Sequence, residues 1–173
     1  MKVNLKMFIL LMFALLLLFG CSKSVKSVET EIYIGKALHI GIIGEVPRIR
    51  EDKVRFTNID FNDLQDVDNL STFDAIFITK ENLKEADKPK YTSFYNNSHI
   101  PFLFIGTGSY VPFAYEDINF DDSLDSGLSY AVLYDKDSEH YWEYGLYNDE
   151  LNEKNIQSTY SEIFRTVEEI SKN

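Results

Sequence analysis

Two short apolar runs decide the fold, Asp74-Ala-Ile-Phe-Ile-Thr79 and Ile100-Pro-Phe-Leu-Phe-Ile105, and each ends at a polar or glycine turn. Short apolar runs bounded by turn residues are typical of strands that are buried on both faces of a sheet. The sequence therefore predicts two central β-strands.

Four further segments are predicted to form strands. A short apolar run closed by Gly44 indicates a third buried strand, an alternating segment indicates a half-buried one, and two aromatic-rich segments indicate a hairpin or two late strands. In order, these segments are residues 39–43, 54–61, 128–134 and 141–147. Residues 81–97 are rich in Lys, Glu and aromatic side chains and predict a helix that is broken at Pro89.

The carboxyl end carries the clearest helical pattern, with apolar residues three and four apart beneath a charged face. These residues are Ile156, Tyr160, Ile163, Phe164, Val167 and Ile170. The alternation of strands and helices predicts an α/β fold, with a single layered domain, a mainly parallel, flavodoxin-like or Rossmann-like sheet and a C-terminal amphipathic helix. The link between the first two strands has room only for an abbreviated crossover helix.

Composition excludes several classes of function. The chain of 173 residues has a net charge of −11, so nucleic acid and anionic lipid headgroups would repel it. Its single cysteine excludes an internal disulfide and a thiolate metal cluster. We also find neither a phosphate-loop ending nor the glycine spacing of a dinucleotide site, and therefore expect no cofactor.

The amino terminus has the layout of an export signal. Lys2 and Lys6 precede an apolar run over residues 7–19, which is shorter than the roughly 20 residues that a membrane-spanning helix needs. The run ends in Leu18-Phe19-Gly20-Cys21. This motif resembles the lipobox of bacterial lipoprotein precursors, in which an aliphatic residue, a tolerant position and a small residue precede the cysteine.

The lipobox resemblance implies that residues 1–20 are removed and that Cys21 carries a thioether-linked lipid, often with an added acyl chain such as palmitate. We therefore expect a lipoprotein at the extracytoplasmic face of a bacterial cell membrane, with the membrane as a partner through the lipid anchor. Residues 21–36 are polar and predict a flexible tether, and residues 37–173 predict the single domain. Loss of Lys2 and Lys6 would change the net charge from −11 to −13.

Loops that follow buried strands are the candidate ligand site, because ligands of open parallel sheets bind at the carboxyl ends of the strands. These loops begin at Gly44, at Thr79 and at Gly106-Thr-Gly-Ser109. The glycines of the last loop would let backbone N–H groups converge on an anion, and a plain tight turn is the alternative. The possible ligand-loop residues are Gly44, Thr79, Gly106, Thr107, Gly108 and Ser109.

No catalytic residue is predicted. Ser109 is the one candidate nucleophile for a divergent hydrolase, but no Gly-x-Ser-x-Gly motif surrounds it and no histidine is recognisably paired with it. A weak calcium candidate lies in residues 117–125, where oxygen-bearing side chains alternate as in an EF-hand loop. Its residues are Asp117, Asn119, Asp121, Ser123 and Asp125. The loop lacks the central glycine and the final glutamate, so no metal site is expected.

Aromatic residues concentrate in Tyr141-Trp-Glu-Tyr-Gly-Leu-Tyr147. In a strand, alternation would place Tyr141 and Tyr147 on one face and Trp142 and Tyr144 on the other. One face can pack in the core, and the other could bind a sugar or a protein. The possible partner face therefore consists of Tyr141, Trp142, Tyr144 and Tyr147.

These patterns favour a non-enzymatic interaction module that engages an envelope protein or a cell-wall component. Two alternatives stay open, a small-ligand receptor that uses the strand-end loops and a divergent hydrolase.

Overall fold

The computed structural model describes residues 30–65, 70–122 and 129–172, and within them the chain forms a six-stranded sheet covered on both faces. The strands are β1 (Leu38–Ile43), β2 (Val54–Asn58), β3 (Ala75–Ile78), β4 (Phe102–Ile105), β5 (Ser129–Asp135) and β6 (His140–Gly145). Their order across the sheet is β2-β1-β3-β4-β5-β6. The α/β class predicted from sequence is confirmed.

The sheet is mixed, which corrects the expectation of a mainly parallel one. Strands β1 to β4 pair in parallel, whereas β5 is antiparallel to β4 and β6 is antiparallel to β5. Residues 136–139 alone connect β5 to β6. A parallel crossover needs a dozen or more residues, so a connection this short forces a hairpin. The hairpin alternative for the aromatic segments is confirmed.

The helices are α1 (Leu83–Ala86), α2 (Pro89–Asn97), α3 (Val111–Ala114) and α4 (Glu153–Ile170). Pro89 opens α2 just after α1 ends, which confirms the predicted break, because a proline is tolerated in the first turn of a helix but not in its interior. At the start of α4 the Asn152 side chain accepts a hydrogen bond of 2.9 Å from the N–H of Asn155. This N-cap and the apolar stripe explain why the C-terminal helix is the longest one described.

Each face of the sheet packs against a separate layer of helix. On one face Ile40, Phe77 and Leu103 contact Phe164 and Val167 of α4. The opposite face packs against α1, α2 and α3 through the buried side chains of Ile76, Ile78, Phe104, Tyr95 and Phe113. Because β1, β3 and β4 are buried on both faces, their sequences read as continuous apolar runs.

The connection from β1 to β2 contains no helix at all in the structure, not even the abbreviated one expected. It is held instead by Glu51, which is buried and accepts hydrogen bonds from the Ser161 hydroxyl at 2.5 Å and from the N–H of Arg50 at 3.0 Å. The Arg50 guanidinium in turn donates to the Ser161 hydroxyl at 2.8 Å. Polar contacts to α4 therefore fix a link that is too short for a crossover helix.

Residues 30–36, expected to belong to the tether, lie against α4. The Tyr33 side chain is buried beside Phe164, and the Thr30 hydroxyl donates to the carbonyl of Ser158 at 3.1 Å. Contacts with α4 thus extend to Thr30. The predicted signal peptide, Cys21 and the rest of the predicted tether lie outside the described residues. None of the helices in the described part of the chain is long and apolar enough to span a membrane.

Candidate functional site

A cavity of about 600 Å³ opens at the carboxyl ends of β1, β3 and β4, which we call the strand-end cavity. Segments from six parts of the chain meet there, because the loops after these strands face the start of β5, the end of β6 and the first half of α4. Its lining residues are Glu45, Val46, Pro47, Arg48, Thr79, Lys80, Glu81, Ile105, Gly106, Ser129, Tyr130, Leu146, Asp149, Leu151 and Tyr160.

Two glycines allow the strand-end loops to pack closely. Gly44 and Gly106 have φ angles of 126° and 94°, which side-chain-bearing residues rarely adopt. A Cβ atom on Gly44 would lie 2.0 Å from the Thr79 hydroxyl, and one on Gly106 would lie 2.7 Å from the Lys80 side chain. The loops after β1, β3 and β4 are therefore held side by side at the mouth of the cavity.

Several polar groups of the loop Gly106-Thr-Gly-Ser109 already have hydrogen-bond partners within the protein. The Gly106 N–H donates to the carbonyl of Tyr130 at 2.7 Å, and the Ser109 N–H donates to the buried Thr107 hydroxyl at 3.1 Å. The Ser109 hydroxyl accepts a hydrogen bond from the Val111 N–H at 3.3 Å, at the start of α3. The N–H groups of Gly106 and Ser109 are thus engaged within the protein and do not converge on an open anion site.

Of the six predicted ligand-loop residues, Thr79 and Gly106 line the strand-end cavity. Gly44 packs directly against Thr79, whereas Thr107, Gly108 and Ser109 do not line the cavity. Within the described residues no histidine forms a hydrogen bond with Ser109.

Two cations at the cavity mouth were not predicted from sequence. The side chains of Arg48 and Lys80 are exposed and line the cavity, and in the described part of the chain neither forms an ion pair or a side-chain hydrogen bond. Glu45, Glu81 and Asp149 line the same cavity. The mouth therefore offers both signs of charge to a ligand.

Two tyrosines line the cavity where it meets the core. The rings of Tyr130 and Tyr160 meet edge to face, with centroids 6.3 Å apart. Burial raises the pKa of both phenols above the ordinary value of 10. Both hydroxyls are therefore neutral at physiological pH and can donate hydrogen bonds.

The predicted partner face is divided between the two sides of β6. Trp142 and Tyr144 point toward α4, where Tyr144 is buried and Trp142 is half-buried. Tyr141 lies on the opposite side and is 47% exposed, and Tyr147 lies beyond the end of the strand. The alternation expected along the segment is present, and it does not bring the four aromatic residues onto one surface.

A different aromatic surface forms around Tyr141, and we call it the tyrosine face. Tyr110 stacks on Tyr134 with ring centroids 4.7 Å apart and also contacts Tyr141 at 4.9 Å. Tyr115 lies close enough to raise the pKa of Tyr110, although burial is the larger cause. Tyr110 and Tyr115 could not be assigned to this surface from sequence, because they flank α3 and only the fold brings α3 beside the hairpin.

The calcium candidate is only partly within the described residues, since Ser123 and Asp125 lie outside them. Asp121 forms an ion pair of 3.0 Å with Lys84, and the Asn119 amide donates to Asp122 at 3.0 Å. Among the residues that the structure describes, no group of three His, Cys, Asp or Glu side chains is placed to hold a metal ion.

Comparison of the chain with protein-family models, with curated proteins and with solved structures finds no match.

Proposed function

We propose that this protein is a lipid-anchored, extracytoplasmic binding protein that holds a small ligand with an anionic group in the strand-end cavity. Anchoring rests on the basic and apolar amino terminus and on the lipobox-like motif ending at Cys21. The observation that carries the binding role is the strand-end cavity itself, which forms where three of the predicted loops meet.

The position of the cavity supports ligand binding. The parallel strands follow the order β2-β1-β3-β4, so the chain reverses direction across the sheet beside β1. The first four strands of a flavodoxin-like sheet have this order, and ligands of such sheets bind beyond the carboxyl ends of the strands at the reversal point. The loops after β1 and β3 flank this point, and they contribute Arg48, Thr79 and Lys80 to the cavity.

The charges at the mouth indicate the class of ligand. Arg48 and Lys80 have no partner within the described residues, although the protein as a whole is strongly acidic. A carboxylate or phosphate on the ligand would pair with them, and charge-assisted hydrogen bonds of this kind are the stronger ones. Ile105, Leu146 and Leu151 line the cavity as well and would contact an apolar or ring portion.

Charged ligands compared with their uncharged analogues test this proposal. We expect N-acetylmuramic acid or glucose 6-phosphate to raise the melting temperature, and the uncharged analogues N-acetylglucosamine and glucose to leave it unchanged. The double variant Arg48→Gln, Lys80→Gln should lose the shift. The control Lys136→Gln, Lys172→Gln removes the same charge outside the cavity and should keep it. Equal shifts for charged and uncharged analogues, or none for either, would contradict the proposal.

A second candidate is the interaction module, and the tyrosine face favours it. Tyr115 and Tyr141 are 56% and 47% exposed and lie on one side of the hairpin. Tyrosine supplies contact area at low entropic cost and is enriched at interfaces. In-cell crosslinking of the anchored protein should enrich one envelope protein, and the double variant Tyr115→Ala, Tyr141→Ala should lose it. An unchanged crosslinking pattern in the variant would exclude this face.

A further inference from the structure

A larger cavity, of about 860 Å³, lies at the opposite edge of the sheet. It is formed by the amino ends of β3 and β4, the β5–β6 hairpin and the last turn of α4, and we call it the hairpin cavity. It shares no lining residue with the strand-end cavity, so what it binds is independent of the function proposed above.

Carboxylates line the hairpin cavity, and none of the described residues that line it is a lysine or an arginine. Asp74, Asp135, Asp137 and Glu169 all line it. Asp74 is already neutralised, because it accepts hydrogen bonds from Lys36 at 2.7 Å and from the His39 N–H at 2.8 Å. Among the described residues, the other three carboxylates form no ion pair with a lysine or arginine.

Asp135 is the buried carboxylate among the residues that line the hairpin cavity. Only 3% of its surface is exposed, yet it lines the cavity. Its Oδ2 atom accepts hydrogen bonds from the Ser138 hydroxyl at 2.5 Å and from the Ser138 N–H at 3.3 Å. Among the described residues nothing donates to its Oδ1 atom. This arrangement leaves Oδ1 able to accept a hydrogen bond from a cationic donor in the cavity.

Two aromatic rings lie beside these carboxylates. The half-buried ring of Trp142 lines the cavity, with the His140 ring 4.9 Å from it. Among aromatic side chains, tryptophan attracts a cation to the face of its ring most strongly. His99 also lines the cavity and pairs with Asp137 at 2.9 Å. Carboxylates next to an indole ring form an environment suited to an ammonium or guanidinium group.

We propose that the hairpin cavity binds a small free organic cation, with the charged nitrogen at Asp135 and Trp142. A bare metal ion fits less well, because the described residues hold no group of three ligating side chains close enough for one. The volume of the cavity is within the range of small-molecule sites, so it accommodates an amine of several carbons.

The only tryptophan of the chain is Trp142, so its fluorescence reports on this cavity alone. We expect agmatine, which carries an ammonium and a guanidinium group, to change that fluorescence saturably at constant ionic strength. Butylurea, an uncharged molecule of similar length, should not. The variant Asp135→Asn should weaken agmatine binding at least tenfold, while Asp149→Asn, which makes the same change at the other edge of the sheet, should leave it unaltered.

A second variant covers the case in which Asp135→Asn does not fold. Asp137→Asn with Glu169→Gln changes exposed side chains only, and we expect at least a threefold loss of agmatine affinity. The indole N–H signal of Trp142 in proton NMR provides an independent readout. No saturable change with agmatine in either measurement, an equal response to butylurea, or equal affinities in the Asp135→Asn and Asp149→Asn variants would overturn the proposal.

Discussion

Gly44 fixes the geometry of the strand-end cavity at a single position. Its φ angle of 126° and its closeness to Thr79 leave no room for a side chain. We expect Gly44→Ala to destabilise the protein by about 1–3 kcal/mol, as measured by urea denaturation. Glu139 also has a positive φ angle, of 53°, but lies in an exposed turn, so Glu139→Gly should relieve backbone strain without removing a packed side chain. That variant should be at least as stable as the original protein, and a stable Gly44→Ala variant would show that the loops are not packed as described.

Asp87 makes stability depend on pH. Burial raises its pKa above the ordinary 3.8, the charges of Asp121 and Asp122 add to the rise, and the hydrogen bond from the Phe120 N–H opposes it. The folded state therefore binds the proton more readily than the unfolded state, so stability falls as the pH rises from about 4 through the raised pKa.

The variant Asp87→Asn should remove this penalty, because an amide oxygen can still accept the hydrogen bond from Phe120. We expect a higher melting temperature at pH 7 and a smaller gain near pH 4. The exposed variant Glu116→Gln is the control for the change in net charge. An equal gain at both pH values would show that the buried charge of Asp87 is not the cause.

At the scale of elements, β6 has one face in the core and one in solvent. Tyr144 is 7% exposed and contacts the α4 layer, whereas Tyr141 is largely exposed. We expect Tyr144→Ala to cost about 3 kcal/mol, by analogy with other large-to-small changes in cores, and Tyr141→Ala to cost about 0.5 kcal/mol. Guanidinium denaturation of both variants tests this difference. Equal losses would mean that the strand is in another register.

The sequence predicts elements well where burial leaves a periodic pattern. The apolar runs at Ala75–Ile78 and Phe102–Ile105 are strands, and the stripe from Ile156 to Ile170 is a helix. Strand direction has no such signal, because residues of a buried strand are apolar whichever way it runs. Only the short connection between Asp135 and His140 shows that the last two strands are antiparallel.

The binding sites were less predictable than the elements. Thr79 and Gly106 were found because strand-end loops are a general location for ligands. Arg48 was missed because nothing in its local sequence distinguishes it from any exposed arginine. Asp135 was missed for a related reason, since aspartate side chains are mostly exposed and only the folded structure shows that this one is buried.

At the scale of the whole molecule, the strand-end cavity and the hairpin cavity lie at opposite edges of one sheet and differ in their charged side chains. The strand-end cavity includes Arg48 and Lys80, whereas the described residues that line the hairpin cavity include carboxylates and neither lysine nor arginine. In a chain with a net charge of −11, an exposed arginine and an exposed lysine that pair with no other described residue set the strand-end cavity apart. The two cavities should therefore be able to bind ligands of opposite charge at the same time.

The proposed anchor depends on one cysteine. We expect the variant Cys21→Ser to abolish incorporation of labelled palmitate and to prevent cleavage after Gly20, because serine has no thiol to alkylate. The variant Ser22→Ala is the control and should be processed normally. Labelling that persists in Cys21→Ser, which leaves the chain without any cysteine, would contradict the lipoprotein proposal.

The most direct measurement of the central proposal is a two-dimensional NMR titration of residues 21–173 with N-acetylmuramic acid. We predict that the shifted amide signals belong to the residues after β1, β3 and β4, including Arg48, Lys80 and Gly106, and that the Arg48→Gln, Lys80→Gln variant shows no shifts. Shifts confined to the tyrosine face or the hairpin cavity would contradict ligand binding at the strand ends, as would a glucose 6-phosphate titration that also leaves these signals unmoved.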